Sequence, residues 1–296
     1  MTDLKEYFKK FSEKYLFGKT KPVWRVAWFC LSIIFVMGFM MLITFSIAGA
    51  LKMKKISPLW SLPFLYLPWF GAVYFFRRYV DNKSLQSLGL NLNSSILKIF
   101  LGMIWGTILI TLVFDINIFL GNLAAKSYAW ELYSSSQIFL FLGGSAFYLL
   151  ISAFMEELIF RGYILQNLVE SLNIYLVVGI SSLVFALVHI INAGFNPLGI
   201  FNIFLFGITL SLFYLHSRNL WIPIGLHFAW NFCQINIFGF PIYGFMSQSL
   251  IELEIGGSEY LTGGNFGPEA SILSTFVLCV VIFVVQYQIN VSKIEV

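Results

Sequence analysis

Two adjacent carboxylates, an arginine, two histidines and an asparagine stand out from a chain that is otherwise close to hydrocarbon. Glu156, Glu157 and Arg161 fall in Phe154-Met-Glu-Glu-Leu-Ile-Phe-Arg161, and His189, His227 and Asn231 lie in apolar stretches further on. Charge at membrane depth is costly enough that such residues usually mark a working site. In a water-accessible pocket the set suits hydrolysis of an amide. Glu156, as general base, draws a proton from water and the hydroxide attacks the scissile carbonyl, with His189 orienting the water. His227 and Asn231 donate hydrogen bonds to the oxyanion as it forms, a contribution of about 2.7 to 4 kcal/mol per donor. Glu156, His189 and His227 also make an alternative zinc ligand set, because two His and a carboxylate with an open position is a catalytic arrangement. Residue types alone do not separate the two mechanisms.

Helix geometry assigns the neighbours their parts. Residues i and i+4 share a helix face, so Arg161 lies over Glu157 and supports the site by neutralising it, while Glu156 points elsewhere. The same spacing puts Phe185 with His189 and His227 with Asn231. Each feature also has a plainer explanation. A Glu–Arg pair one turn apart is usually a solvated surface bridge, but the flank of Phe154, Met155, Leu158, Ile159 and Phe160 argues against a wet face. A single His or Asn in an apolar helix is commonly an interhelical hydrogen bonder, and it is the joint occurrence with Glu156 that singles these out. His216, beside Arg218, reads as an interfacial residue, and Asp115 as lying near the outer boundary.

The elements that must position these groups are membrane helices. The chain is 59% hydrophobic, 19% aromatic and only 11% charged, where a soluble domain carries roughly 25% charged residues. Apolar runs of about 20 residues signal spans, and eight are read: 26–51, 59–76, 99–120, 137–154, 174–191, 198–215, 221–240 and 272–287. The expected fold is all-α and polytopic, one transmembrane domain over residues 1–296 with a polar catalytic cavity in its core. Cys30, Cys233 and Cys279 are scattered in apolar sequence and suit neither a disulfide framework nor a Cys-x-x-Cys metal site.

The net charge of +4 does not imply a nucleic-acid partner, because basic residues cluster beside spans, where they set orientation. Seven Lys and Arg precede the first span (Lys5, Lys9, Lys10, Lys14, Lys19, Lys21, Arg25), and Arg77, Arg78, Lys83 and Lys98 lie between the second and third. The other side holds Lys52, Lys54, Lys55, Lys126 and an acidic loop with Glu252, Glu254, Glu259 and Glu269, while Gly256 to Gly267 reads as a flexible external loop. Both termini are expected on the cytoplasmic side of a multi-pass protein, with the lipid bilayer as its first partner. Abundant Phe, Ile, Asn and Lys suggest an AT-rich bacterial genome, and hence a bacterial plasma membrane as the expected location.

Glu156-Glu157-x-x-x-Arg161, Phe185-x-x-x-His189 and His227-x-x-x-Asn231 resemble, in order and in placement on hydrophobic helices, the three signature motifs of the CAAX protease and bacteriocin-processing (CPBP) intramembrane protease family, to which the type II CAAX prenyl endopeptidase is related. The resemblance spans Ala153 to Phe232. It implies an eight-helix endopeptidase with a cytoplasm-facing cavity, Glu156 and His189 activating water, and His227 and Asn231 as oxyanion donors. It further implies a metalloprotease description in which zinc would be the cofactor. The resemblance does not fix the substrate; the bacterial composition favours a small peptide or membrane-anchored precursor, as in bacteriocin self-immunity or signal-peptide processing, over true CAAX cleavage.

Two other classes are compatible with buried polar groups. A proton-coupled transporter with Glu156 as carrier predicts matching inverted repeats, and none stands out. A non-catalytic immunity protein would bind peptide in the same cavity without cutting it. Gly143-Gly144-Ser145-Ala146 lacks the final Gly of a rhomboid-type motif, Asp115 has no partner for an aspartyl dyad, and the His-Glu-x-x-His spacing is absent.

Overall fold

The computed structural model describes residues 22–50, 58–93, 95–191, 196–242 and 246–294. The lysines before Arg25 and those at 52, 54 and 55, counted above for orientation, lie outside them. Eight principal helices occupy the eight apolar runs: α1 (Pro22–Ala50), α2 (Pro58–Phe75), α3 (Ser95–Phe119), α4 (Ser135–Glu157), α5 (Ile174–Val188), α6 (Pro197–Ser217), α7 (Trp221–Phe232) and α8 (Ile272–Ile294). Among the described residues, five helical stretches are long and apolar enough to cross a membrane: 22–40, 95–119, 135–168, 197–217 and 272–289. Among the described residues α5 (Ile174–Val188) is apolar but shorter than these. The chain is an all-α integral membrane protein, and the count of eight spans rests on the sequence.

Among the described residues one two-stranded antiparallel sheet interrupts the helices. β1 (Leu123–Tyr128) pairs with β2 (Ile251–Ile255), with a register shift between Ala125 and Ser127. Lys126, in that irregularity, reaches Glu252 at 2.9 Å. Leu123 and Leu253 turn inward onto Phe240, and Phe114 stacks on Phe238 beside them. The acidic residues 252 and 254, read above as a loop, are therefore strand residues alternating with inward apolar ones.

The chain forms two compact units, Met1–Asn91 with Phe154–Val177, and Leu92–Ala153 with Val178–Val296. The first is organised around Asp81, whose side chain has no exposure. It accepts from Arg25 of α1 at 3.2 Å, from Arg77 at 3.1 Å and from Asn167 at 3.1 Å. Tyr163 is fully buried and stacks against Phe29 at 4.2 Å. Burying a carboxylate is tolerable only with this kind of compensation. Arg77 was counted as a loop charge for orientation, yet it is 2% exposed and bonds Asp81, Ser87 and Gln166.

In the second unit, helix ends are set by local chemistry. Asn196 caps α6 by accepting from Gly199 N at 3.1 Å, with Pro197 at the first helical position. Asn219 Oδ1 accepts from Trp221 N at 2.9 Å and starts α7, whose Pro223 falls where the helix has no N–H partner to lose. α3 and α7 then meet backbone to backbone. A Cβ added at Gly102 would lie 2.0 Å from Ile222 O, one at Gly106 2.2 Å from Leu226 O, and one at Gly225 2.1 Å from Ile99 O. Small residues at such a crossing let helices approach in the absence of any hydrophobic drive between them.

Candidate active site

The paired motif lies where α4 leaves regular α geometry. Glu157 ends the α-helix, and Leu158–Leu165 continue as a π-helical stretch with all eight residues buried. Arg161 Nη1 donates to Glu157 Oε1 at 2.9 Å, and neither side chain is exposed. The expected pairing of these two is therefore observed. Glu156 is only partly buried, one residue earlier on a different helix face. π-helical turns are uncommon and recur at functional sites. Another, one of three among the described residues, is Cys233–Ile237, which follows α7 directly after the Asn231 turn.

Glu156, Glu157 and Arg161 belong to the first unit, and His189, His227 and Asn231 to the second. Within the second unit Phe185 links two motifs. Its ring lies 4.8 Å from that of His189 and 6.0 Å, edge to face, from that of His227. Phe206 meets the His227 ring from another side at 5.5 Å. His227 is thus clamped between aromatics and 4% exposed. His189 opens the short 3-10 turn ending α5, and its Nδ1 is 2.7 Å from Phe185 O. A carbonyl can only accept, so Nδ1 carries a proton, and Nε2 is the nitrogen left to act as a base. That tautomer suits a residue that orients water.

A residue missed in the sequence joins this group. Glu269 sits in a 3-10 turn just before α8 and is buried, although it had been assigned to an acidic outer loop. Gln234 Nε2 donates to its Oε2 at 2.8 Å, and the Trp230 side chain donates to it too. Its backbone is held by Asn202 of α6, which donates to Glu269 O at 2.7 Å and Ser271 O at 2.8 Å. Burial pushes the Glu269 carboxyl up to about 7, against the pull of Gln234, its own backbone, Trp230 and His227. Gly267 allows the loop to come in, with φ at 106° and Pro241 O where a Cβ would stand. The legible signal was Asn202 and Gln234, amides in apolar sequence that needed partners.

Phe185, Phe206, Asn202, His227, Asn231 and Glu269 line a cavity of about 20 Å³. Among the described residues no three His, Cys, Asp or Glu side chains are grouped to hold a metal ion.

Residues 135–233 match the family model described as type II CAAX prenyl endopeptidase, Rce1-like. The match supports membership of the CPBP family. All three motifs, from Glu156 to Asn231, fall inside the matched CPBP region. That family is one of proteases, so the CPBP core supports a peptidase acting in the membrane. No curated protein and no solved structure matches the chain.

Proposed function

We propose that the chain is an intramembrane endopeptidase that hydrolyses a peptide bond in a small peptide or membrane-anchored precursor, with Glu156 activating water. The observation that carries this reading is the family match over residues 135–233, which contains the three motifs complete. In the proposed reaction Glu156 removes a proton from water while His189 Nε2 orients it, and the nascent hydroxide attacks the carbonyl carbon. His227 and Asn231 stabilise the oxyanion, and collapse of the tetrahedral intermediate expels the amine, which takes the proton from Glu156. The His189 tautomer and the aromatic clamp on His227 both favour this division of labour. Both termini face the cytoplasm in this proposal, and the host is bacterial, with the natural substrate a processed or self-immunity peptide.

The test uses wild type and Glu156→Ala purified in detergent and a quenched fluorescent peptide library, with and without a zinc chelator. Cleavage by wild type that is lost in the variant supports the reading. Chelator sensitivity would add zinc to Glu156, His189 and His227. Peptide binding by both proteins with no cleavage by either would replace the protease with a binding-only immunity protein.

A further inference from the structure

Glu269 is 38 residues beyond Asn231 and outside the matched region, yet it borders the same cavity as His227 and Asn231. A buried carboxylate is expensive unless hydrogen-bonded, and this one is elaborately held. Asn202 fixes its backbone, and Thr275 Oγ1 fixes Asn202 by donating to Asn202 Oδ1 at 2.6 Å. Gln234 and Trp230 aim its carboxylate. Trp230 precedes Asn231, and Gln234 follows it by three residues. The cavity, at about 20 Å³, exceeds the roughly 10–15 Å³ that one enclosed water needs. Its lining includes Glu269, Asn202, His227, Asn231 and Ser274 among apolar and aromatic residues, and an internal water takes about 3 polar partners.

We propose that Glu269 is a positioning residue for the oxyanion side of the site: it anchors one buried water in this cavity, and that water, together with the Gln234–Trp230 frame, fixes how His227 and Asn231 present their donors. The catalytic part of this inference rests on the endopeptidase reading above; the geometric part does not. Outer-shell partners of metal-ligating side chains matter by about 10- to 100-fold in affinity or activity, and an effect of the same order is expected for a partner that sets hydrogen-bond donors.

Two readouts test it. The chain has three histidines, His189, His216 and His227, so histidine-only ¹⁵N labelling in detergent gives a spectrum assignable by single substitutions. Glu269→Leu, which cannot hold the water or accept from Gln234, is expected to move the His227 ring signals and leave His216 in place, and Glu269→Gln restores most of the original position. In the cleavage assay Glu269→Leu lowers kcat about 10- to 100-fold with KM nearly unchanged, and Glu269→Gln recovers most of the loss. A folded Glu269→Leu protein with unmoved His227 signals overturns the proposal, as does an equal movement of all three histidines. If Glu269→Leu fails to fold, Gln234→Met removes the donor that aims the carboxylate while keeping the Asn202 anchor; unmoved His227 signals in that variant overturn the proposal equally. His227 signals that move in a protein whose wild type cuts nothing would sustain the positioning role and sink the protease instead.

Discussion

Arg161 Nη1 lies 2.9 Å from Glu157 Oε1 one turn away on the same helix, and neither side chain has any exposure. An ion pair so enclosed is held by mutual need. Removing one partner strands the other charge at a cost of roughly 3–5 kcal/mol, whereas replacing both with apolar residues of similar volume is often close to neutral. Arg161→Met or Glu157→Met alone is therefore expected to lower the unfolding temperature in detergent sharply, and the double Met variant to recover most of it. A double variant as unstable as either single one would mean that further partners sustain the pair.

Asn231→Ala removes one of the two proposed oxyanion donors and leaves the proposed base, Glu156, in place. The expected result is a kcat lower by about 10²–10³ with KM little changed. A loss confined to KM would instead make Asn231 a substrate-binding residue.

The crossing of α3 and α7 leaves no room for a methyl group. Gly102→Ala would put a Cβ 2.0 Å from Ile222 O, so the helix carrying His227 must move. Overpacking of this kind costs about 1–3 kcal/mol, and activity should fall with it. Gly143→Ala, whose Cβ meets nothing within 4 Å, is the control and should cleave as wild type does. Equal activity in the two alanine variants would remove the crossing from the account of the site.

Glu170 carries the pH dependence that can be read at the membrane edge. Burial acts to raise its carboxyl, but Lys83 and Arg25 outweigh this and hold it below its ordinary value of 4.5. A depressed folded value means that the unfolded chain binds the proton more tightly, so stability from this group is present above pH 4.5 and is lost as the pH falls through the folded value. Glu170→Gln should then be less stable than wild type at neutral pH by up to about 1 kcal/mol, with the deficit closing as the medium is acidified and shrinking in high salt. Unfolding curves at several pH values check it; a deficit constant with pH would assign the loss to packing.

Much of this was legible in the residues, for physical reasons. Apolar run length located the helices, and the i,i+4 rule located the Glu157–Arg161 pair, because both are local properties of an α-helix. Period-two alternation in Ile251-Glu-Leu-Glu-Ile255 announced β2 but was submerged in a loop assignment. The π-helical turns after Glu157 and Phe232 leave no comparable pattern in sequence. Glu269 was illegible because its burial is set by Asn202, 67 residues away, and by Gln234, 35 residues away. Arg77 and Asp81 were hidden differently: a charge beside a span signals orientation whether it faces water or closes on a neighbour.

Asp81 draws cations from α1 and from the turn that follows α2, while Tyr163 and Asn167, inside the family-matched stretch, lean on that same carboxylate and Tyr163 also on Phe29. The family-matched core is thus not portable. Grafting residues 135–233 onto another membrane scaffold would sever Arg25, Arg77 and Asp81 from the helix that carries Glu156, so a transplant must bring that acidic hub and its two arginines with it.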